Sequence, residues 1–217
     1  MKKINLLLLF TLSVVIFGCK KNEMQPSLDS KNPASTLNVP EFNEKNSTAV
    51  AWDELPDKLK KAEVISTETP TMNKIYAFYK YFIGTWGGPG GGNYYIYPAA
   101  STDKIYAIAF RSGIYVDALT VWYIRSNGTL YYYGAGGTGG SYYVQFLSSS
   151  EYIYAIGGRS GLYIDRLTIY TNYKSFSYGG NGGGPFFQSV PYTDQILGFY
   201  GGSGWYIDRI GAYVYSK

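Results

Sequence analysis

Hydrophobic and polar positions divide the chain into three stretches with different periodicities. The first is an almost continuous apolar run, Ile4 to Phe17, broken only by Asn5, Thr11 and Ser13 and preceded by Lys2 and Lys3. Such a run falls short of the about 20 residues a membrane-spanning helix needs. A basic start, a short apolar core and the small residue Gly18 predict a secretory signal over residues 1–18. The second stretch, from Lys20 to about Thr71, is rich in Asn, Ser, Pro, Glu and Lys. It has too little apolar surface to offset the entropy of ordering, so residues 19–74 read as a polar, mostly disordered tether. Within it Trp52, Leu55, Leu59 and Ala62 recur at helical spacing, and Pro56 suits a first turn. These predict a short helix near 52–64, whose role the sequence does not show.

The third stretch, 75–217, has the alternation of β-structure. Leu119, Val121 and Tyr123 alternate with Thr120, Trp122 and Ile124, and both sets are largely apolar. β-Branched and aromatic residues dominate, and glycines or Asn127-Gly128 punctuate the runs. The pattern repeats. Ile105-Tyr106-Ala107-Ile108 leads through Arg111-Ser112-Gly113 to Ile114-Tyr115-Val116-Asp117. Ile153-Tyr154-Ala155-Ile156 leads through Arg159-Ser160-Gly161 to Leu162-Tyr163-Ile164-Asp165. Ile196-Leu197-Gly198-Phe199 leads through Gly202-Ser203-Gly204 to Trp205-Tyr206-Ile207-Asp208. The three aspartates are 48 and 43 residues apart. A second motif, GGxGG, recurs in step at Gly87–Gly91, Gly136–Gly140 and Gly179–Gly183, spaced 49 and 43 residues. A unit of that length holds about four short strands. Three units predict a threefold all-β domain, with a β-prism and a β-trefoil as the candidates. The trefoil's Gln-x-Trp signature is absent, and the paired motifs favour a prism of three four-stranded sheets.

Composition sharpens the division. Of 27 glycines in the 217 residues, 26 lie at or beyond Gly84, whereas Lys, Glu and Asp crowd into 20–74. The net charge of +4 forms no basic cluster in the body, which argues against nucleic acid as a partner. There is no histidine, so Ser-His-Asp, Cys-His and zinc-histidine chemistry are excluded. The sole cysteine, Cys19, rules out an intrachain disulfide.

Ile16-Phe17-Gly18-Cys19 resembles the lipobox of bacterial lipoproteins, although Phe17 is bulkier than the usual residue there. That resemblance implies lipidation of Cys19, a membrane anchor, and a place in the bacterial cell envelope at the outer membrane. The plainer alternative is an ordinary signal peptide with an incidental cysteine.

The body resembles a jacalin-related lectin, a family of β-prism sugar binders. The matching residues are Trp86-Gly87-Gly88-Pro89-Gly90-Gly91 and the ending from Ile196 through Gly204-Trp205-Tyr206-Ile207-Asp208-Arg209-Ile210-Gly211-Ala212-Tyr213. Keeping both motifs in all three repeats resembles the multi-site, griffithsin-like members. The first 75 residues have no counterpart.

The residues suit sugar chemistry. A carboxylate accepts from two adjacent hydroxyls, glycine-rich turns expose backbone N–H donors, and an aromatic ring covers a C–H face. The candidate carbohydrate-binding residues are Gly113, Tyr115 and Asp117; Gly161, Tyr163 and Asp165; and Gly204, Trp205, Tyr206 and Asp208, together with Gly91, Gly140 and Gly183. If the motif is extended, each Tyr/Asp pair faces ligand while Ile114 and Val116, and their equivalents, anchor the other side. Trp205 gives its own repeat an extra wall. Family topology implies that Asp208 pairs with the loop ending at Gly91, Asp117 with that at Gly140, and Asp165 with that at Gly183. Arg111 and Arg159 read as solvent-facing or interface residues.

No pair of carboxyls suits glycoside hydrolysis and no acidic cluster suits calcium, so no catalytic residue, metal or cofactor is assigned. The expected partners are glycans of mannose or glucose type. Galactose-preferring members of the family need a free amino group at the glycine-rich opening, and this chain runs on upstream. The alternatives are an adhesin or structural module that uses the prism for protein contacts, and an accessory to a glycan-processing enzyme. The oligomeric state stays open.

Overall fold

Alternating β-branched and aromatic residues separated by glycine turns give strands that pair as antiparallel hairpins. The computed structural model describes residues 55–64 and 79–217. The predicted signal over 1–18, Cys19, Trp52 and most of the expected tether lie outside the described residues. After a short helix, α1 (Asp57–Lys60), the strands are β1 (Glu63–Val64), β2 (Tyr81–Gly87), β3 (Gly92–Ile96), β4 (Lys104–Ser112), β5 (Val116–Ile124), β6 (Leu130–Gly136) and β7 (Ser141–Phe146). They continue with β8 (Ile153–Ser160), β9 (Ile164–Thr171), β10 (Ser175–Gly179), β11 (Gly184–Ser189), β12 (Asp194–Ser203) and β13 (Ile207–Ser216).

Three four-stranded antiparallel units result. Their strand orders are β6-β5-β4-β7, β10-β9-β8-β11 and β2-β13-β12-β3. In each, a central hairpin is flanked by the two strands of a second hairpin. The third unit takes its central pair from the end of the body and its flanking pair from the start, so the prism is closed by both ends of the same segment. The second and third units share one backbone pair, Ile196↔Ile153. The all-β threefold prism expected from the repeats is the observed fold.

Inward-facing residues of all three units form one core, including Ile108, Phe110, Leu119, Ile156, Leu167, Phe199 and Ile210. A second cluster lies on the outer face of the β4–β7 unit, where Leu55, Leu59 and Ala62 cover Ala107, Ala109 and Trp122. The Trp122 Nε1 donates to the Leu59 carbonyl at 3.3 Å, and β1 extends the sheet by pairing parallel to β6. The predicted helix is therefore present but only four residues long. Leu55–Val64 is packed on the prism rather than solvated in the tether, because a buried indole on an outward sheet face needs both a cover and an acceptor.

Candidate functional site

Each central hairpin turns through three residues, 113–115, 161–163 and 204–206, and its motif aspartate is the second residue of the strand that follows. In the first unit Arg111 pairs with Ala118 and Ser112 with Val116, so Asp117 is the extra residue of a β-bulge. The same offset leaves Asp165 unpaired between Ile164 and Arg166, and Asp208 between Ile207 and Arg209. A bulge re-aims the side chain it carries. Here it turns each carboxylate toward the glycine-rich loop of its own unit.

That contact explains the GGxGG motif. The first and fifth glycines take positive φ, 101–113° and 63–70°, which side chains rarely adopt. A Cβ on Gly90, Gly139 or Gly182 would overlap Oδ1 of Asp208, Asp117 or Asp165, and one on Gly91, Gly140 or Gly183 would crowd the matching Oδ2. The second glycine donates its N–H to the aspartate's own carbonyl, from Gly88, Gly137 and Gly180 at 2.9, 2.8 and 2.7 Å. The loop thus wraps the carboxylate so closely that only backbone fits. The structure pairs Asp208 with Gly91, Asp117 with Gly140, and Asp165 with Gly183, the pairing that the resemblance implies.

The three aspartates are only 6–7% exposed, yet among the described residues no side chain donates to their carboxylates. Burial pushes the Asp117 carboxyl above its ordinary value. The N–H groups of Gly113 and Asp117 and the charge of Arg111 pull it partly back. Each unit thus holds a desolvated acceptor beside a glycine turn.

Two expectations about the turn need correction. Tyr115, Tyr163 and Tyr206 do not stand as separate walls, one per aspartate. Their rings pack on one another about the threefold axis, with centroids 5.0–5.2 Å apart. Ile114 and its equivalents are not anchors either. Ile114, Leu162 and Trp205 are 74%, 74% and 81% exposed, whereas Val116, Ile164 and Ile207 are buried. The bulge breaks the two-residue alternation on which the expectation rested. Gly113, Gly161 and Gly204 close the turns by donating to the Tyr115, Tyr163 and Tyr206 carbonyls at 2.9–3.0 Å.

The arginines were underestimated by sequence reasoning. Arg111 donates to the Thr138 carbonyl at 3.1 Å, and Arg159 to the Gly182 and Gly183 carbonyls at 2.8 and 2.7 Å. Each clamps the glycine loop of its unit from the adjoining strand. The third repeat has Gly202 where the others have arginine, and Arg209 takes over from the neighbouring strand. It donates to the Pro89 and Gly90 carbonyls, and its guanidinium fills the space above Gly202. The readable signal was Arg-Ser-Gly in two repeats and Asp-Arg in two.

A cleft of about 360 Å³ opens at the opposite end of the prism, lined by Asp103, Lys104, Glu151 and Lys217 among others. Its acids are engaged. Asp103 accepts from the Ala100 N–H and the Tyr131 hydroxyl, and Glu151 from Thr171 and the Ser148 N–H. The motif end, where the acceptors have no side-chain donor among the described residues, is therefore the better candidate.

Comparison with known proteins agrees with this geometry. No match is found among curated protein sequences. Wild-type Malaysian banana lectin is 32% identical with a TM-score of 0.57, the match covering 63% of this chain and 99% of that one. Calystegia sepium agglutinin is 29% identical with a TM-score of 0.57, over 63% of this chain and 97% of its own. A mannose-binding jacalin-related lectin from Ananas comosus is 27% identical with a TM-score of 0.55, over 63% and 98%. Residues 83–213, the span that carries all three aspartates and all three glycine loops, match the jacalin-like lectin domain, and the chain belongs to that family.

Proposed function

We propose that the prism binds carbohydrate, of mannose or glucose type, at up to three metal-independent sites centred on Asp117, Asp165 and Asp208. The observation that carries this reading is the buried carboxylate with no side-chain donor among the described residues, repeated three times and each time wrapped by a loop of bare backbone. A carboxylate in that position accepts from two adjacent sugar hydroxyls, and glycine N–H groups can donate to sugar oxygens without steric obstruction. The family supports the class of ligand. Calystegia sepium agglutinin is seen in complex with a biantennary N-glycan, and the Ananas comosus relative is mannose-binding.

Each site offers one carboxylate, whereas calcium takes six to eight oxygen ligands. Sugar binding on this reading needs no cation, and among the described residues no second acid stands beside the first for hydrolysis. The test is calorimetric titration of a mannose-rich glycan into the full chain, in a detergent that carries no sugar, with and without EDTA. Binding is expected to be the same in both. Loss in EDTA that calcium restores, or no binding to any mannoside or glucoside, contradicts the reading.

The second element of the proposal is that Cys19 carries lipid and tethers the prism in the bacterial envelope. It is supported by the lipobox-like Ile16–Cys19. Anchoring by several acyl chains is stable, since each buried CH₂ contributes about 0.8 kcal/mol. Metabolic labelling with a fatty acid should mark the wild type and not Cys19→Ser; equal labelling of both contradicts the anchor.

A further inference from the structure

The three turns are interlocked around the axis in a way that reassigns their exposed residues. A Cβ on Gly137 would come within 2.5 Å of the Trp205 carbonyl oxygen and 3.1 Å of its Cα. In the same way Gly180 abuts Ile114, whose carbonyl accepts from the Gly180 N–H at 3.1 Å, and Gly88 abuts Leu162. The exposed residue of each Gly-x-Tyr-x-Asp turn thus stands against the glycine loop of the next unit. Trp205 borders the loop that wraps Asp117, Ile114 the loop around Asp165, and Leu162 the loop around Asp208.

We infer that Trp205 is a specificity-determining residue for the Asp117 site, one unit away from its own aspartate, where its indole forms a wall for the second ring of a bound disaccharide. Gly137 lies two residues before Gly139, the glycine that meets the Asp117 carboxylate. Two residues of extended chain span at most about 7 Å, a distance an indole covers and a sugar ring fills. Trp205 is 81% exposed and packs on no other described ring, so its faces are open to a ligand. Apolar C–H faces of sugars are what such a ring covers, whereas the aliphatic Ile114 and Leu162 at the other two boundaries offer no π-face. The three sites therefore differ. The one centred on Asp117 favours extended glycans, and the other two discriminate less between a monosaccharide and a disaccharide.

This inference rests on the carbohydrate-binding reading, and the experiment separates the two. Asp165→Asn/Asp208→Asn leaves the Asp117 site alone, and Asp117→Asn/Asp165→Asn leaves the Asp208 site alone. Each is combined, in the full chain, with Trp205→Ala and Trp205→Phe and titrated with methyl α-mannoside and a mannobiose. In the Asp117-only chain, Trp205→Ala is expected to weaken mannobiose by about three- to tenfold, the worth of one aromatic contact, with a smaller effect on methyl α-mannoside. Trp205→Phe is expected to restore most of the loss. In the Asp208-only chain all three forms should bind alike. Because Trp205 is exposed, thermal melts of all forms should coincide for a given pair of Asn substitutions. An equal effect in both chains, an effect confined to the Asp208-only chain, or none in either overturns the inference while leaving sugar binding intact. Absence of binding by the wild type removes both.

Discussion

Each repeat carries two acids fourteen residues apart, one at each end of its central strand, and the two sets meet opposite fates. Asp103, Glu151 and Asp194 open β4, β8 and β12, and each is tied by named donors. Asp194 accepts from Lys80 at 2.9 Å and from the Tyr81 and Thr193 hydroxyls. Asp117, Asp165 and Asp208 lie just past the turns at the other ends, buried as Asp103 and Asp194 are, with no side-chain donor among the described residues. A buried polar group normally finds its partners within the protein, because leaving it unpaired costs about 1–3 kcal/mol. One end of the prism obeys that rule. The other meets it without side-chain donors, the Asp117 carboxylate resting on the N–H groups of Gly113 and Asp117, which on the proposed reading leaves acceptor capacity for a sugar.

The largest break in this comparison comes from removing the second set. Asp117→Asn/Asp165→Asn/Asp208→Asn should remove binding of a branched mannose-rich glycan. Linked sites gain about 10²–10⁴ in avidity over one site, so the loss should be at least of that order. Circular dichroism and thermal melts should show the fold retained. By contrast Asp194→Asn should lower the melting temperature by several degrees and leave sugar binding of the folded protein unchanged.

Next in size is Gly139→Ala. The new methyl would lie on Oδ1 of Asp117, so that site should weaken by more than about tenfold, the scale of losing a charge-assisted hydrogen bond. Gly113→Ala, where a Cβ meets nothing within 4 Å, should change binding little. Titration of the Asp117-only chain with methyl α-mannoside checks both.

How much of this was legible in the sequence follows from which contacts are local. The three GxYxD and three GGxGG segments are visible because each must be built of the same residues to make the same turn, and their equal spacing gives the threefold sheet. The carboxylate's aim was not visible. It depends on a bulge at Asp117, set by cross-strand register with Arg111 and Ser112, and period-two reasoning placed Ile114 and Tyr115 on the wrong sides. The axial packing of Tyr115, Tyr163 and Tyr206 needs all three units at once, so no single repeat reveals it. Arg209 substitutes for an arginine missing at Gly202 only because adjacent strands bring the two positions together. Likewise Leu59 showed its helical spacing, and its destination on Trp122 did not.

The arginine clamp gives a smaller test. Arg159→Gln removes two bonds to the Gly182 and Gly183 carbonyls without touching the Asp165 carboxylate. The Asp165 site should weaken by about three- to tenfold through a looser loop, as loss of one or two exposed charged hydrogen bonds would give. Calorimetry on a chain with Asp117→Asn/Asp208→Asn reads it directly, and an unchanged affinity would show that the loop holds its shape unaided.

The smallest effect is the dependence of stability on pH, and its sign differs between Asp117 and Asp194. Burial raises the Asp117 carboxyl in the folded protein, so the stability it contributes is present at low pH and lost as pH rises through that raised value. At neutral pH Asp117→Asn should therefore melt at the same temperature as wild type or slightly above it. Asp194 is held below its ordinary value, first by its hydrogen bond from Lys80, with burial opposing. Its contribution is present at neutral pH and lost as pH falls through the lowered value. Melting curves of Asp117→Asn and Asp194→Asn between neutral and acidic pH should diverge from wild type in opposite directions.

The central claim, that three carboxylates without side-chain donors among the described residues are three sugar sites, is met most directly by stoichiometry. Methyl α-mannoside should bind the wild-type full chain weakly at each site, with Kd on the order of 1 mM, and saturate at three per chain. Each of Asp117→Asn, Asp165→Asn and Asp208→Asn should lower that number by one while the fold is kept. Saturation at a single sugar in the wild type, or undiminished binding by a folded triple variant, would contradict the account.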